Sequence, residues 1–126
     1  MSLFNKPLQI AVRTDASFEI GAGHVMRCLT LADNLKQHDA VIRFICQRLP
    51  GDLVEHIIKR GYEVTTTLQS KVDWLIVDHY ELDKQWESKM RTFAKRIMVV
   101  DDLANREHDC DLLLDQTLGR KAADYD

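Results

Sequence analysis

The 126-residue sequence has little of what marks a membrane, secreted or nucleic-acid-binding protein. No apolar run approaches the roughly 18 to 20 residues that span a bilayer, and the first residues lack a long apolar signal core. The three cysteines form no CxxC pair, so a disulfide framework is not predicted. A net charge of -3, without a long run of like charge, gives no support for binding nucleic-acid phosphates or anionic lipid. We therefore expect a cytoplasmic protein with reduced thiols that binds neither nucleic acid nor membrane.

Linkers and repeats are also lacking. The two prolines and five glycines form no Pro/Gly-rich segment, and no internal repeat divides the chain. A chain of this size buries roughly two thirds of the surface that its unfolded form exposes. We therefore predict one domain over residues 1–126 with one core.

Short apolar runs rich in branched residues alternate with amphipathic segments along the chain. Such runs are typical of strands buried on both faces of a parallel sheet. The predicted strands are residues 8–12, 41–46, 62–64, 74–77, 97–100 and 112–114. Their alternation with helices predicts an α/β fold with an open, doubly wound, mainly parallel sheet of the Rossmann-like kind.

The first predicted helix is amphipathic. Apolar residues recur in it at 3.6-residue spacing and predict one buried stripe. The residues of the stripe are Val25, Cys28, Leu29, Ala32 and Leu35.

Two further helices are predicted mainly from their ends. The second is predicted to begin at Asp52 as N-cap, with Glu55 completing a capping box, and to end at Gly61. The third is predicted to start near Asp83. Its apolar face consists of Trp86, Met90 and Phe93.

Polar and glycine residues follow three of the predicted strands. Because open α/β sheets bind ligands beyond the carboxyl ends of their strands, these residues are candidates for a site. They are Asp15, Gly21, Gly23 and His24 after the first strand, Asp78, His79 and Tyr80 after the fourth, and Asp101 and Asp102 after the fifth.

The segment around His24 is the most informative of these. Gly21 and Gly23 allow the backbone to turn and approach a ligand, and the helix that follows offers N–H groups and a positive dipole end to a phosphate. His24 lies in the first helical turn, where the dipole disfavours the imidazolium. A neutral ring that accepts a proton is what a general base requires. Asp15 or another nearby carboxylate is expected to orient the ring.

Each candidate also has a simpler interpretation. A Gly-x-Gly after a strand is often a tight turn only, and Arg27 fits an ion pair on the surface. Tyr80 fits a half-buried packing residue, and Asp101 and Asp102 fit a cap of the next segment. The remaining histidines without special spacing are predicted to be solvated or packed. They are His38, His56 and His79.

Neither a metal nor a dinucleotide cofactor is predicted. His108 and Cys110 lack a matching second pair of ligands. Met26 replaces the third glycine of GxGxxG, and the second strand is followed by Gln47 and Arg48 instead of an acidic residue that would bind a ribose.

Three blocks of the sequence, in order and covering most of the chain, closely resemble one family. They are RTDASFEIGAGHVMRCLTLA from Arg13, VDHYELDKQWE from Val77 and VDDLANREHDCDLLLDQTLGR from Val100. The family is that of the nucleotide-sugar hydrolases of pseudaminic acid biosynthesis, the UDP-2,4-diacetamido-2,4,6-trideoxy-β-L-altropyranose hydrolases, with the related spore-coat polysaccharide biosynthesis proteins.

The resemblance implies one half of a glycosyltransferase-B-like architecture, in which two Rossmann-type domains enclose the active site. Water attacks the anomeric carbon of a UDP-sugar in that family, UDP leaves, and the sugar is released with inversion, without a cofactor. The histidine of the G-x-G-H-x-x-R block matches His24, which would be the general base. The tyrosine of the D-x-Y block matches Tyr80, which would contact substrate. Positions that line the same cleft match Asp15, Gly21, Gly23, Arg27, Asp78, Asp101 and Asp102.

Members of the family are longer than this chain. A second, C-terminal nucleotide-binding domain is expected to begin just after residues 118–126. We therefore expect an N-terminal domain that is inactive alone and exposes an apolar face where the second domain docks, a face that also allows a homodimer. The alternative is a module that binds a nucleotide-sugar without catalysis or in the manner of a glycosyltransferase.

Overall fold

The computed structural model describes residues 6–101 and 107–115, in which six strands form one sheet. The strands are β1 (Gln9–Thr14), β2 (Val41–Ile45), β3 (Glu63–Thr65), β4 (Val72–Asp78), β5 (Ala94–Val100) and β6 (Leu112–Leu114). The helices are α1 (Gly23–Lys36), α2 (Val54–Lys59) and α3 (Lys84–Met90). All strand pairs are parallel, in the order β3-β2-β1-β4-β5-β6. The predicted α/β fold with a parallel, Rossmann-like sheet is confirmed.

The strand order reverses between β1 and β4, where doubly wound sheets bind their ligands. These two strands are paired from Ile10 opposite Trp74 to Thr14 opposite Asp78. The segments that follow Thr14 and Asp78 therefore leave the sheet side by side. The candidate residues after the first and fourth strands lie on these segments or at their start.

Alternate residues of the central strands contribute to two apolar clusters, one on each face of the sheet. Ile10 and Val12 of β1 belong to the cluster that includes residues of α1 and α2, whereas Ala11 belongs to the cluster on which α3 packs. Burial on both faces explains why the strands are continuous apolar runs in the sequence.

Helix α1 buries the stripe that the sequence predicts. Val25, Cys28, Leu29 and Ala32 are buried, and Leu35 packs partly buried against the same cluster. Full burial of a side chain such as Leu29 contributes roughly 1.5 to 3 kcal/mol. Packing on the sheet therefore stabilises this helix more than its intrinsic propensity does.

The start of α2 differs from the prediction. The helix begins at Val54, and Asp52 is not its N-cap. The Asp52 carboxylate instead accepts hydrogen bonds from the N–H groups of Leu49 and Val54, which closes the turn before the helix. Glu55 forms an exposed ion pair in place of the predicted capping box. The helix ends as predicted, with Gly61 at φ +94° just beyond it.

Helix α3 begins as predicted and ends early. The side chain of Asp83, its N-cap, accepts hydrogen bonds from the N–H groups of Gln85 and Trp86. The helix ends at Met90, so Phe93 lies in the turn beyond it and not on its face. Trp86, Met90 and Phe93 nevertheless pack against one apolar cluster, which preserves the burial that their spacing predicts.

The alternation of strands and helices is interrupted between β3 and β4. Residues 66–71 make this connection without a helix, and Leu68 from this segment is buried below α3. Within the described residues, no helix has the length and apolar character needed to cross a membrane.

Candidate active site

His24 lies in the first turn of α1, next to a cavity of about 200 Å³. The N-cap of this helix is Ala22, which provides no side-chain cap, and Gly23 is the first helical residue. The helix therefore starts where the sequence predicts. The residues that line the cavity are Glu19, Ile20, His24, His79, Tyr80 and Glu81.

A buried carboxylate holds one nitrogen of the His24 ring. Nδ1 lies 2.6 Å from Oδ1 of Asp78, the last residue of β4. Because a carboxylate accepts hydrogen bonds, this contact selects, of the two neutral tautomers, the one with its proton on Nδ1, which leaves a lone pair on Nε2. No hydrogen bond reaches Nε2 from residues 6–101 or 107–115. The carboxylate that orients the ring is thus Asp78 and not Asp15.

Asp78 is fully buried and ionised. Arg27 donates two hydrogen bonds to it, from Nε to Oδ2 and from the guanidinium NH2 group to Oδ1, both at 2.7 Å. Burial raises the pKa of Asp78, but hydrogen bonds from His24 and Arg27 outweigh it and hold the pKa below its usual value. The charge of Arg27 therefore helps to keep the partner of His24 negative.

Cys28 lies beneath the same carboxylate, with its Sγ 3.6 Å from Asp78 Oδ2. Burial and the nearby charge of Asp78 raise the pKa of this thiol well above its usual value. A protonated thiol is a poor nucleophile, so Cys28 contributes packing and a weak hydrogen bond.

The ring of Tyr80 contacts the ring of His24. The two rings meet edge to face, with centroids 4.4 Å apart and planes at 82°. Tyr80 is 39% exposed and lines the cavity. The structure therefore places together the two residues that the resemblance identifies as catalytic.

Asp15 belongs to a second buried network next to this one. Arg13 donates two hydrogen bonds to its carboxylate at 2.7 and 3.0 Å, the N–H of Gln47 donates a third at 2.8 Å, and His79 Nε2 lies 3.0 Å away. Burial raises the pKa of Asp15, but the hydrogen bonds from His79, Arg13 and Gln47 hold it well below its usual range. Asp15 is thus an ionised anchor at the ends of β1 and β2.

The two candidate glycines have different roles in the backbone. Gly21 has φ +86°, and its N–H donates to the Ser17 carbonyl at 2.8 Å, so it forms the turn before α1. Gly23 has no positive φ. A Cβ added at either position meets nothing within 4 Å, so the space beside both residues is open.

Asp101 follows β5 and pairs with a histidine instead of lining the cavity. Its Oδ2 lies 2.9 Å from His108 Nε2, and His108 Nδ1 lies 2.7 Å from the buried carboxylate of Glu87. Asp102 lies outside the described residues. Within the described ranges, no three His, Cys, Asp or Glu side chains are grouped so that they could hold a metal ion.

The sequence places His79 among the polar residues after the fourth strand, but its lack of special spacing predicts a solvated or packed histidine without a role in the site. The structure shows it buried, lining the cavity beside Tyr80 and bound to Asp15. The signal in the sequence that could have placed His79 in the site is its position between Asp78 and Tyr80, directly after a strand.

The arrangement around His24 suits proton transfer. An imidazole that lines a cavity and has one nitrogen bound to an ionised carboxylate is the arrangement of a general base. The carboxylate fixes the tautomer and stabilises the imidazolium that forms when the ring takes a proton.

No protein-family model matches the chain. The chain is 32% identical over 130 residues to the UDP-2,4-diacetamido-2,4,6-trideoxy-beta-L-altropyranose hydrolase of Campylobacter jejuni, an alignment that covers 94% of the chain and 45% of that protein. It is 25% identical over 105 residues to an uncharacterized protein of Methanocaldococcus jannaschii, covering 75% of the chain and 22% of that protein. The chain therefore spans less than half the length of these relatives. The resemblance to the UDP-diacetamido-trideoxy-altropyranose hydrolases, predicted from three blocks of sequence, is confirmed.

Proposed function

We propose that the chain is the part of a nucleotide-sugar hydrolase that carries the general base, and that His24 is this base. The observation that carries the proposal is the pairing of His24 Nδ1 with buried Asp78 beside a cavity that Tyr80 also lines. The proposed substrate is a UDP-linked diacetamido-trideoxy-hexose, as in the Campylobacter relative. The proposed role is the biosynthesis of a surface polysaccharide or a flagellin glycan.

The reaction uses the lone pair on His24 Nε2. A water molecule attacks the anomeric carbon while Nε2 takes one of its protons, and the bond from that carbon to the phosphate oxygen of UDP breaks. Asp78 stabilises the imidazolium, which later releases the proton to solvent. The N–H groups and dipole at the start of α1 favour an anion nearby, so donors can stabilise the departing diphosphate directly.

The other candidate residues support this centre in different ways. Tyr80 is proposed to contact the sugar near the reacting carbon, and the open space beside Gly21 and Gly23 allows the substrate to approach. Arg27 acts through Asp78. Substrate contacts by Asp15, Asp101 and Asp102 stay predictions.

We further propose that a second domain completes the cavity, as in a glycosyltransferase-B-like architecture. Ile20, which lines the cavity, is 39% exposed, and Phe18 and Met26, which lie close to Ile20 and His24 in the sequence, are 86% and 42% exposed. Large apolar side chains that stay exposed in contiguous patches are typical of interaction surfaces. The Campylobacter relative extends well beyond the aligned part, because the alignment covers 45% of it, and this length supports a second domain in the complete hydrolase. A second copy of the chain is the competing occupant.

The proposal is tested by UDP release. The chain is assayed with the UDP-sugar alone and after addition of the second domain. We expect release only with both parts, and His24→Ala is expected to lower kcat by at least about 100-fold, since general base catalysis contributes that much. His38→Ala removes an exposed histidine as the matched control and retains activity.

Two results would contradict the proposal. Restored activity that survives His24→Ala removes His24 from the mechanism, and full activity of the chain alone removes the need for a second domain. Tight binding of the UDP-sugar without release of UDP by the combined parts supports the alternative, a binding module without catalysis.

A further inference from the structure

Both ring nitrogens of His79, the residue after β4, are engaged. The N–H of Glu81 donates to Nδ1 at 3.1 Å, and Nε2 lies 3.0 Å from Oδ2 of Asp15. Since Nδ1 accepts a hydrogen bond, the ring proton belongs on Nε2, which donates to Asp15. These bonds favour one tautomer and leave His79 unsuited to take a proton from water.

Asp15 is itself held by two other strands. Arg13 in β1 and the N–H of Gln47, just after β2, donate three hydrogen bonds to its carboxylate. Arg13, Asp15 and His79 are only 7%, 4% and 8% exposed. The network therefore joins the ends of β1 and β2 to the residue that follows β4.

Tyr80 lies within the turn that His79 closes. The bond from Glu81 N–H to the His79 ring spans this turn, as a side chain does in an Asx turn. The Tyr80 ring meets His24 edge to face at 4.4 Å. The place of Tyr80 against His24 therefore depends on where the ring of His79 is held.

We propose that His79, tethered by Asp15, is a positioning residue that holds Tyr80 against His24. The consequence for catalysis rests on the proposed function, in which His24 is the base and Tyr80 contacts substrate. The geometric part of the proposal is that the Tyr80–His24 contact depends on the bond between His79 and Asp15. This part does not rest on the proposed function.

Three variants separate the two hydrogen bonds of His79. His79→Gln retains an N–H donor near the position of Nε2, and His79→Asn retains an acceptor near the position of Nδ1. His79→Ala retains neither. His38→Gln makes the same change at an exposed histidine and serves as the matched control.

The first test uses NMR on the 126-residue chain and needs no activity. Long-range proton–nitrogen spectra report which ring nitrogen carries the proton, and nuclear Overhauser effects report the Tyr80–His24 contact. We expect His79 protonated on Nε2 in the unmodified chain. We expect the contact to persist in His79→Gln and in the control, and to be lost in His79→Asn and His79→Ala.

Two NMR results overturn the proposal. If the unmodified chain carries the His79 proton on Nδ1, the tether does not exist, whatever the variants do. If His79→Asn keeps the Tyr80–His24 contact, the local turn alone positions Tyr80 and the bond to Asp15 is dispensable.

The second test measures kinetics with the second domain present. A misplacement of about 1 Å in an active site costs on the order of 100-fold in rate, so we expect kcat of His79→Asn to fall by about 10- to 100-fold with a smaller change in KM. We expect kcat of His79→Gln to stay close to that of the unmodified protein. An unchanged kcat in His79→Asn contradicts the catalytic consequence. If the unmodified protein releases no UDP, the proposed function fails, while the tautomer and the ring contact still decide whether His79 positions Tyr80.

Discussion

At the scale of single residues, the site combines ionised carboxylates with cations in a buried setting. Asp78 and Asp15 are both held ionised by hydrogen bonds that outweigh their burial. A carboxylate whose pKa is lower in the folded than in the unfolded chain stabilises the fold above the unfolded value, near 3.9. That stabilisation is lost as the pH falls through the folded pKa. The site should therefore weaken the fold in acid.

The first prediction concerns this loss of stability at low pH. The unfolding free energy of the chain should fall as the pH drops from about 5 toward 2, and the fall should be shallower in Asp78→Asn. At pH 7 this variant should be less stable by about 3 kcal/mol, because Arg27 loses its buried anionic partner. Urea unfolding at several pH values measures both effects. Asp39→Asn, at an exposed carboxylate, is the control. If the unfolding free energy of Asp78→Asn falls with pH as steeply as that of the unmodified chain, Asp78 does not cause the loss of stability in acid.

The second prediction separates backbone strain from steric contact at two glycines. Gly21 and Gly51 have φ of +86° and +79°, but a Cβ at Gly51 would lie 2.7 Å from ring atoms of Phe18, whereas one at Gly21 meets nothing within 4 Å. Gly21→Ala should cost about 1 to 2 kcal/mol from strain alone. Gly51→Ala should cost more, since the Phe18 ring must also move. Urea unfolding compares them, and equal losses would show that the ring moves freely.

At the scale of elements, the helix ends give a direct comparison. Asp83→Ala removes the side chain that caps α3 and should lower the unfolding free energy by about 1 kcal/mol. Glu55→Ala removes an exposed ion pair at α2 and should change stability by less than about 0.5 kcal/mol. Thermal or urea unfolding gives both values. A loss at Glu55 as large as at Asp83 would indicate a capping box in solution.

The elements also show how far the sequence predicts the structure. Strand positions, the stripe of α1 and the cap at Asp83 were predictable because their apolar spacing and cap residues are local. The start of α2 was not predictable in this way. The Asp52 carboxylate accepts a hydrogen bond from the N–H of Leu49 in the preceding turn, and also one from the N–H of Val54, which an N-cap residue would bind. A local pattern does not say which of two competing hydrogen-bonding arrangements is more stable.

The site was predictable only in part, for a related reason. Sheet topology places the ends of β1 and β4 side by side, so the grouping of His24 with residues after β4 follows from the sequence. The partner of His24 lies 54 positions away, and that of Asp15 lies 64 positions away at His79. Which carboxylate pairs with which histidine depends on side-chain geometry that the pattern of apolar residues does not encode.

At the scale of the whole molecule, the most exposed large apolar side chain, Phe18, should govern association. Without its proposed partner domain, the chain should self-associate weakly through Phe18 and its neighbours, and Phe18→Asp should abolish this association. Ile58→Asp is the matched control, because it makes the same kind of change at another exposed apolar residue, 48% exposed on α2. Sedimentation velocity across a concentration series measures the effect. If the Phe18→Asp variant self-associates as strongly as the unmodified chain, the interface does not include Phe18.

The outermost strands of the sheet are shorter than the inner ones, and this difference affects how copies of the chain associate. The inner strands β1, β4 and β5 have six or seven residues, whereas the outermost strands β3 and β6 have three each. Short outer strands offer few unpaired backbone groups to a neighbouring chain, a feature by which proteins discourage the growth of a continuous intermolecular sheet. Copies of this chain should therefore meet through side chains and separate again on dilution, instead of extending into fibrils.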